Sequence, residues 1–91
     1  MSAESLLANY VRNSEKVFSE IQLKQDVVVL DEDKIREIID YAKKYLSDAK
    51  YYGEKRQFET ALVAVAYCEG LLDTLRLLGM VEFTWPNTKE T

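Results

Sequence analysis

The most hydrophobic stretch of the chain is residues 58–79, FETALVAVAYCEGLLDTLRLLG, in which only four residues are charged. Its apolar side chains recur with the seven-residue spacing of a packed helix. They fill three neighbouring rows of that helix: Phe58, Val65, Leu72 and Gly79; Ala61, Cys68 and Leu75; and Ala64, Leu71 and Leu78. A stripe this wide exceeds what one neighbouring helix covers. We therefore predict a central helix over about residues 57–79 that packs between two other helices.

Two earlier segments also have the periodicity of amphipathic helices. The first is predicted over about residues 2–22, with Ser2 as its N-cap. The second is predicted over about residues 32–55, with Asp31 as its N-cap and acidic residues in its first turn. The apolar face of the first helix consists of Leu7, Tyr10, Val11, Val17, Phe18 and Ile21. That of the second consists of Ile35, Ile38, Ile39, Ala42, Tyr45, Leu46, Ala49 and Tyr52.

The segments between these helices differ in kind. Residues 22–31, QLKQDVVVLD, contain three consecutive valines, which favour an extended connector. Gly53–Gln57 has room only for a chain reversal, so the second and third helices are predicted to form an antiparallel hairpin. Gly79 suits a left-handed end of the third helix, with Met80 returning against Leu75.

The C-terminal end alternates apolar and polar residues from Met80 to Trp85, which predicts a short extended tail. We expect Phe83 or Trp85 to fold back onto the helices, and roughly the last four or five residues to be disordered. The predicted fold class is all-α: one domain, residues 1–91, built as an antiparallel three-helix bundle with a left-handed twist. A helical-repeat hairpin with one extra helix is the nearest alternative architecture.

Composition indicates the cellular compartment and disfavours some classes of binding partner. The net charge is −4 and the pI is about 4.8, so a general affinity for nucleic acid or anionic membranes is not expected. The single cysteine, Cys68, has no intramolecular disulfide partner and lies in one of the apolar rows of the central helix, which is typical of a protein in a reducing compartment. No apolar run reaches the ~18 residues of a membrane span, and the N-terminus lacks the features of a signal peptide. These features predict a cytoplasmic protein.

The segment YLSDAKYYGEKRQFETALVAVAYCEGLLDTLRLLG resembles the core of a family of small archaeal proteins known as domain of unknown function 357. The resemblance extends over about residues 38–81 and is carried by Tyr45, Asp48, Ala49, Tyr51, Phe58, Ala61, Leu62, Ala64, Tyr67, Gly70, Leu72, Asp73, Arg76, Leu78 and Gly79. Most of these are packing residues, so the resemblance implies a cytoplasmic helical bundle and brings no known substrate, cofactor or catalytic residue. The family often places Gly-Asp at the hairpin turn, where this chain has Arg56 and Gln57, and this departure removes an expected helix cap.

The chain has no histidine, which removes the commonest general base and most transition-metal sites, so catalysis would depend on carboxylates. Glu69 and Asp73 are one helical turn apart and are the candidate ligands for a divalent metal such as Mg²⁺. The favoured alternative is structural, with Arg76 pairing with both carboxylates in a partly buried ion network. Gly70, in the middle of the same helix, predicts the close approach of another backbone or, as the weaker alternative, a ligand cleft.

Tyrosine is unusually frequent, with six residues in the chain. Tyr51 is predicted to point away from the buried stripe, among lysines, where an aromatic ring can anchor a protein partner or stack on a base. Tyr41, Phe83 and Trp85 are the other candidate partner-binding residues. The leading hypothesis is a non-catalytic protein-interaction or scaffolding module without a cofactor, acting on a protein partner or by self-association. The alternatives are a carboxylate-dependent divalent-metal enzyme acting on nucleotides or phosphoesters and, third, a nucleic-acid accessory protein.

Overall fold

A computed structural model describes residues 2–24 and 30–86 of the chain. This part of the chain contains three α-helices and no β-strand: α1 (Ala3–Glu20), α2 (Glu32–Glu54) and α3 (Phe58–Leu77). The all-α, three-helix fold class is therefore confirmed. The predicted extended connector falls partly, and the predicted disordered C-terminal residues fall entirely, outside the described residues.

Side-chain caps fix the starts of α1 and α2, as the sequence predicts. The Ser2 hydroxyl oxygen accepts a hydrogen bond from the Ser5 backbone N–H at 3.1 Å. Asp31 Oδ1 accepts one from the Lys34 N–H at 2.9 Å. Each bond satisfies a backbone donor that no helical carbonyl can reach. The start of α3 differs, because its N-cap residue, Gln57, makes no side-chain capping bond.

The end of α3 has the geometry predicted for a glycine. Gly79 is left-handed, with φ 75°, and its N–H donates to the Arg76 carbonyl. The Met80 N–H donates to the Leu75 carbonyl at 2.9 Å. These two bonds form a Schellman motif, which satisfies the last carbonyls of the helix.

The end of α2 has the same motif with an arginine in the left-handed position. Arg56 has φ 62° and donates its N–H to the Gly53 carbonyl, while the Gln57 N–H donates to the Tyr52 carbonyl. A left-handed backbone crowds the β-carbon of an L-residue and costs about 1–2 kcal/mol. The hairpin therefore turns at a strained residue.

The buried core lies between α2 and α3, which are in extensive contact. Among the described residues, the side chains that are buried are Ala42 of α2 and Cys68 and Leu75 of α3. Cys68 and Leu75 belong to one predicted row of α3, whereas Phe58 and Gly79, at the two ends of the neighbouring row, are exposed. The two helices are thus joined through a narrower apolar contact than the predicted stripe.

The second neighbour predicted for α3 is not in place along most of its length. α1 has no buried residue and makes no close backbone contact with the described parts of α2 and α3. Side chains from its first turns share a shallow hollow with the start of α3, formed by Ala3, Leu6, Leu7, Tyr10, Glu59, Thr60 and Val63. The prediction that two helices enclose α3 is therefore wrong for the described residues, because beyond its first turns α2 is the one helix that packs against α3.

As a result, both α1 and α3 present apolar side chains to solvent. On α3 the exposed residues include Leu62, Val63 and Leu77, and on α1 they include Val17 and Phe18. None of the helices in the described ranges combines the length and hydrophobicity needed to cross a bilayer.

Candidate functional site

An apolar cleft lies between the first half of α2 and the second half of α3, with a volume of about 400 Å³. We call it the hairpin cleft, and ten residues line it: Leu30, Ile35, Ile38, Tyr41, Tyr45, Tyr67, Leu71, Thr74, Leu75 and Leu78. None of these side chains is charged at neutral pH. The polar groups on its walls are the hydroxyls of three tyrosines and one threonine.

Packing between the two helices shapes the hairpin cleft. Leu75 is only 1% exposed and forms part of its base. The rings of Tyr45 and Tyr67 pack against each other across the helix pair, with centroids 4.4 Å apart and planes inclined by 31°. The Thr74 hydroxyl donates to the Gly70 carbonyl at 2.8 Å and so already has a partner. The cleft therefore offers a ligand mainly apolar contact.

The two predicted partner-binding tyrosines of α2 lie in different places. Tyr41 is 53% exposed and lines the hairpin cleft. Tyr51 is 54% exposed and is not a cleft residue. The Tyr51 ring meets Tyr52 edge-on, with centroids 5.3 Å apart, and lies 5.3 Å from the Lys55 ammonium. Tyr51 has the exposure that the sequence predicts, and its role in partner binding stays a prediction.

The C-terminal segment returns to α3, as the sequence predicts for Phe83 or Trp85. The rings of these two residues meet edge to face, with centroids 4.9 Å apart. Trp85 Nε1–H donates to Asp73 Oδ1 at 3.1 Å, and the same oxygen accepts from Arg76 Nε–H at 2.9 Å. Arg76 Nη2 also lies 2.7 Å from this oxygen and forms an ion pair with it. The hydrogen bonds from Trp85 and Arg76 hold the pKa of Asp73 below its ordinary value.

The predicted metal ligands are not grouped with other ligating side chains. Asp73 is already held by Arg76 and Trp85, and the described ion pair of Arg76 is with Asp73 rather than with Glu69. Within residues 2–24 and 30–86, no three Cys, Asp or Glu side chains are placed to hold a metal ion. The Asp73–Arg76 pair favours the structural interpretation of these residues, and metal binding at Glu69 and Asp73 stays a prediction.

Gly70 lacks the close neighbour that the sequence predicts. It is exposed on α3, and a β-carbon built on it would meet no atom within 4 Å. The expectation that another backbone lies against it is therefore wrong within this chain, because α1 does not cover this part of α3. Gly70 retains the low helix propensity of glycine without a packing contact to offset it.

Cys68 lies in the hairpin core, as the sequence predicts. It is 5% exposed, and this burial raises the pKa of its thiol, with Glu69 adding an effect in the same direction. A thiol that stays protonated and buried is a packing group rather than a nucleophile.

The sequence pattern identifies Tyr41 as a candidate site residue but does not identify Tyr67 or Leu71 as members of the same surface. The row containing Leu71 and Leu78 does indicate that the apolar stripe of α3 is wider than one helix contact requires. Which side of the hairpin stays open depends on how α2 and α3 are rotated about their axes. That rotation is a property of the packed pair and is not specified by the spacing in either helix.

Comparison with known proteins places this chain in a family without adding a functional class. No curated protein and no solved structure matches the chain. The family described as "Protein of unknown function (DUF357)" matches residues 9–81, which is more than half of the chain and reaches from α1 to the segment after α3. The match confirms the resemblance carried by the residues of α2 and α3. This chain belongs to the DUF357 family of proteins of unknown function.

Proposed function

We propose that this protein is a non-catalytic interaction module that binds an amphipathic helix in the hairpin cleft. The observation that carries the proposal is the cleft itself, about 400 Å³ in volume and lined by ten residues without a formal charge. An amphipathic helix presents apolar side chains at i, i+3, i+4 and i+7, and such a row fits a groove between two helices.

The dimensions of the hairpin cleft support a helical ligand. Its lining residues run from Ile35 to Tyr45 along α2 and from Tyr67 to Leu78 along α3. At 1.5 Å per residue these distances are about 15–17 Å, or three helical turns. A helix of that length has three or four apolar side chains on one face, which matches a cleft of this size.

Charged side chains beside the cleft favour particular orientations of the ligand. Near Tyr41 the surface of α2 carries Glu37, Asp40 and Lys44, and Lys34 Nζ lies 3.9 Å from Glu37 Oε1. Exposed pairs of this kind contribute only about 0–1 kcal/mol, but a like charge on a ligand at the rim weakens binding. The expected ligand therefore combines an apolar face with flanks of mixed charge.

The proposal extends to the compartment and the partner. We place the protein in the cytoplasm, because Cys68 is a free, buried thiol of the kind usual in reducing environments. The family resemblance adds an archaeal origin. Of the four partner-binding residues predicted from the sequence, Tyr41 has the central role, since it is the one that lines the cleft.

Two variants of α2 test the proposal, because Tyr41 and Tyr51 are matched in residue type, helix and exposure. Tyr41→Glu introduces a charge into the hairpin cleft, and Tyr51→Glu introduces the same charge outside it. The full chain and both variants are used for affinity capture from native lysate, with bound proteins quantified by mass spectrometry. We expect a protein that binds the full chain and Tyr51→Glu but is depleted about tenfold with Tyr41→Glu, as the loss of a hot-spot contact predicts.

Other outcomes would refute the role of the cleft. Equal capture by the unaltered chain and Tyr41→Glu would show that the cleft is not the binding surface. Loss with Tyr51→Glu alone would place binding at the other end of α2. Circular dichroism spectra of both variants establish that each remains helical, so that a loss of binding reports the surface rather than the fold.

A further inference from the structure

The two exposed apolar surfaces of this chain match each other in length. One is the hairpin cleft. The other is the apolar face of α1, on which Val17 is 57% exposed and Phe18 is 78% exposed. From Tyr10 to Ile21 this face extends about 17 Å, the same three turns as the cleft. In its own chain, no residue of α1 lines the cleft.

The exposed area of the chain is larger than that of a compact monomer. The accessible surface is 8391 Å², whereas a compact protein of 10.5 kDa exposes about 5,400 Å². Even at full exposure, the eleven residues outside the described ranges account for only about 1,800 Å² of the difference. The excess is therefore between about 1,200 and 3,000 Å² per chain, which overlaps the range of about 1,000–2,500 Å² that each partner buries in an obligate dimer.

A second copy of this chain is the partner that covers both surfaces at once. A helix from a different protein would fill the cleft and leave the apolar face of α1 in water. Two copies related by a twofold axis can exchange helices, so that α1 of each copy fills the hairpin cleft of the other. The exchange removes both the clefts and the apolar faces of α1 from water. The nine residues 22–30, between Ile21, the C-cap of α1, and Asp31, the N-cap of α2, can span at most about 30 Å, which is enough to reach a neighbouring molecule.

We infer that two copies of this chain form a twofold-symmetric dimer by exchanging α1, with Phe18 of each copy seated in the hairpin cleft of the other. This inference rests on the proposed function, because it names the helix that the cleft binds. A charge placed on either surface therefore separates the copies, and the same charge placed elsewhere does not.

Light scattering after size-exclusion chromatography of the full chain, at several concentrations, measures the mass. We expect about twice the 10.5 kDa of one chain. Phe18→Glu in α1 and Tyr41→Glu in the hairpin cleft should each halve that mass. Ala8→Glu, on the exposed side of α1 away from its apolar face, and Tyr51→Glu add the same charge and should leave the dimer intact.

A mixture of variants distinguishes exchange between copies from closure of α1 onto its own chain. Phe18→Glu retains an unaltered cleft, and Tyr41→Glu retains an unaltered α1. An equimolar mixture should therefore form dimers with one exchanged helix, and its mass should rise above that of one chain. A mixture that stays at the mass of one chain would overturn the exchange.

A wild-type mass of one chain at every concentration would also overturn the inference. A fluorescein-labelled peptide of residues 2–22, titrated into the full chain, then separates this failure from failure of the proposed function. Binding that is lost with Tyr41→Glu and kept with Tyr51→Glu would leave the cleft as a helix-binding site. Absence of peptide binding to a monomeric chain would reject α1 as the ligand, and the lysate capture with Tyr41→Glu then decides whether the cleft binds a helix of another protein.

Discussion

The double variant Arg56→Gly/Gln57→Asp should be more stable than the unaltered chain. Arg56 occupies the left-handed position that ends α2, with φ 62°, where the matching position of α3 is Gly79 with φ 75°. Gln57 is the N-cap of α3 and makes no side-chain capping bond. The two substitutions give the turn the Gly-Asp pair that the family resemblance implies.

The two substitutions act through separate terms. Glycine at position 56 removes the left-handed strain of arginine, which raises the free energy of unfolding by about 1–2 kcal/mol. The greater backbone freedom of glycine in the unfolded chain lowers it by about 0.5–1 kcal/mol. The Arg56 guanidinium lies 5.6 Å from the Phe58 ring centroid, and loss of this exposed contact subtracts about 0.5 kcal/mol. Arg56→Gly should therefore change the free energy of unfolding by between about −0.5 and +1 kcal/mol. An aspartate cap at position 57 adds about 1 kcal/mol.

Urea and thermal unfolding of the double variant, followed by circular dichroism at one fixed protein concentration, measure the summed effect of the two substitutions on the free energy of unfolding. The expected increase of about 0.5–2 kcal/mol in the double variant corresponds to a rise in Tm of about 2–16 °C for a chain of this length. Arg56→Ala is the matched control, because it removes the guanidinium but keeps a β-carbon at the left-handed position. It should be about 1 kcal/mol less stable than Arg56→Gly. Gly79→Ala, at the same position of the second motif, should lower stability by about 1 kcal/mol.

The comparison of Arg56→Gly with Arg56→Ala decides whether the turn is strained. If Arg56→Gly is no more stable than Arg56→Ala, the backbone strain at position 56 does not exceed the cost of glycine's backbone freedom, about 0.5–1 kcal/mol, and the assigned strain of about 1–2 kcal/mol is refuted. If Gln57→Asp alone leaves Tm unchanged, the start of α3 is not limited by its missing cap. Each result tests one effect alone, the backbone strain at Arg56 or the missing cap at Gln57, because the two positions are altered separately.

Three further predictions concern α3. Gly70→Ala should raise stability by about 1 kcal/mol, since its β-carbon meets no atom within 4 Å; a lower Tm would show that another backbone lies against this position. Because the pKa of Asp73 is lower in the folded than in the unfolded chain, its carboxylate stabilises the fold above about pH 4, the ordinary pKa of an aspartate. This stabilisation is lost as the pH falls through the pKa of Asp73 in the folded state. Fluorescence of Trp85, the single tryptophan, should therefore change in acid, and Asp73→Asn should abolish this change. Cys68, 5% exposed, should react with Ellman's reagent only as fast as the hairpin opens, and immediate reaction would contradict its burial.

Several features of the fold can be predicted from the sequence because their causes are local. Ser2 and Asp31 cap their helices through bonds to residues three positions away. Gly79 ends α3 because a left-handed backbone suits glycine. The row of Cys68 and Leu75 marks the side of α3 that meets α2, since residues seven apart share a face.

The position of α1 could not be predicted in the same way. Its apolar periodicity shows that one face needs a partner, but Val17 and Phe18 have the same spacing whether they pack within the chain or against another molecule. The wrong expectation for Gly70 has this origin, because a backbone contact at Gly70 requires α1 to complete the bundle inside one chain. The hairpin cleft was missed for the related reason that its walls come from two helices whose relative rotation is not encoded in either pattern alone.

The small core of the hairpin connects its stability to its proposed function. Full burial of a leucine such as Leu75 contributes only about 1.5–3 kcal/mol, whereas ordering the backbone costs about 1–2 kcal/mol for every residue. Within the described residues, the buried side chains are Ala42, Cys68 and Leu75, so much of the apolar surface that could stabilise this fold is still in water. A ligand of the hairpin cleft covers that surface only in the folded state, and stability therefore rises with ligand concentration. If the ligand is α1 of a second copy, Tm rises with the concentration of the protein itself, and folding and association become one equilibrium.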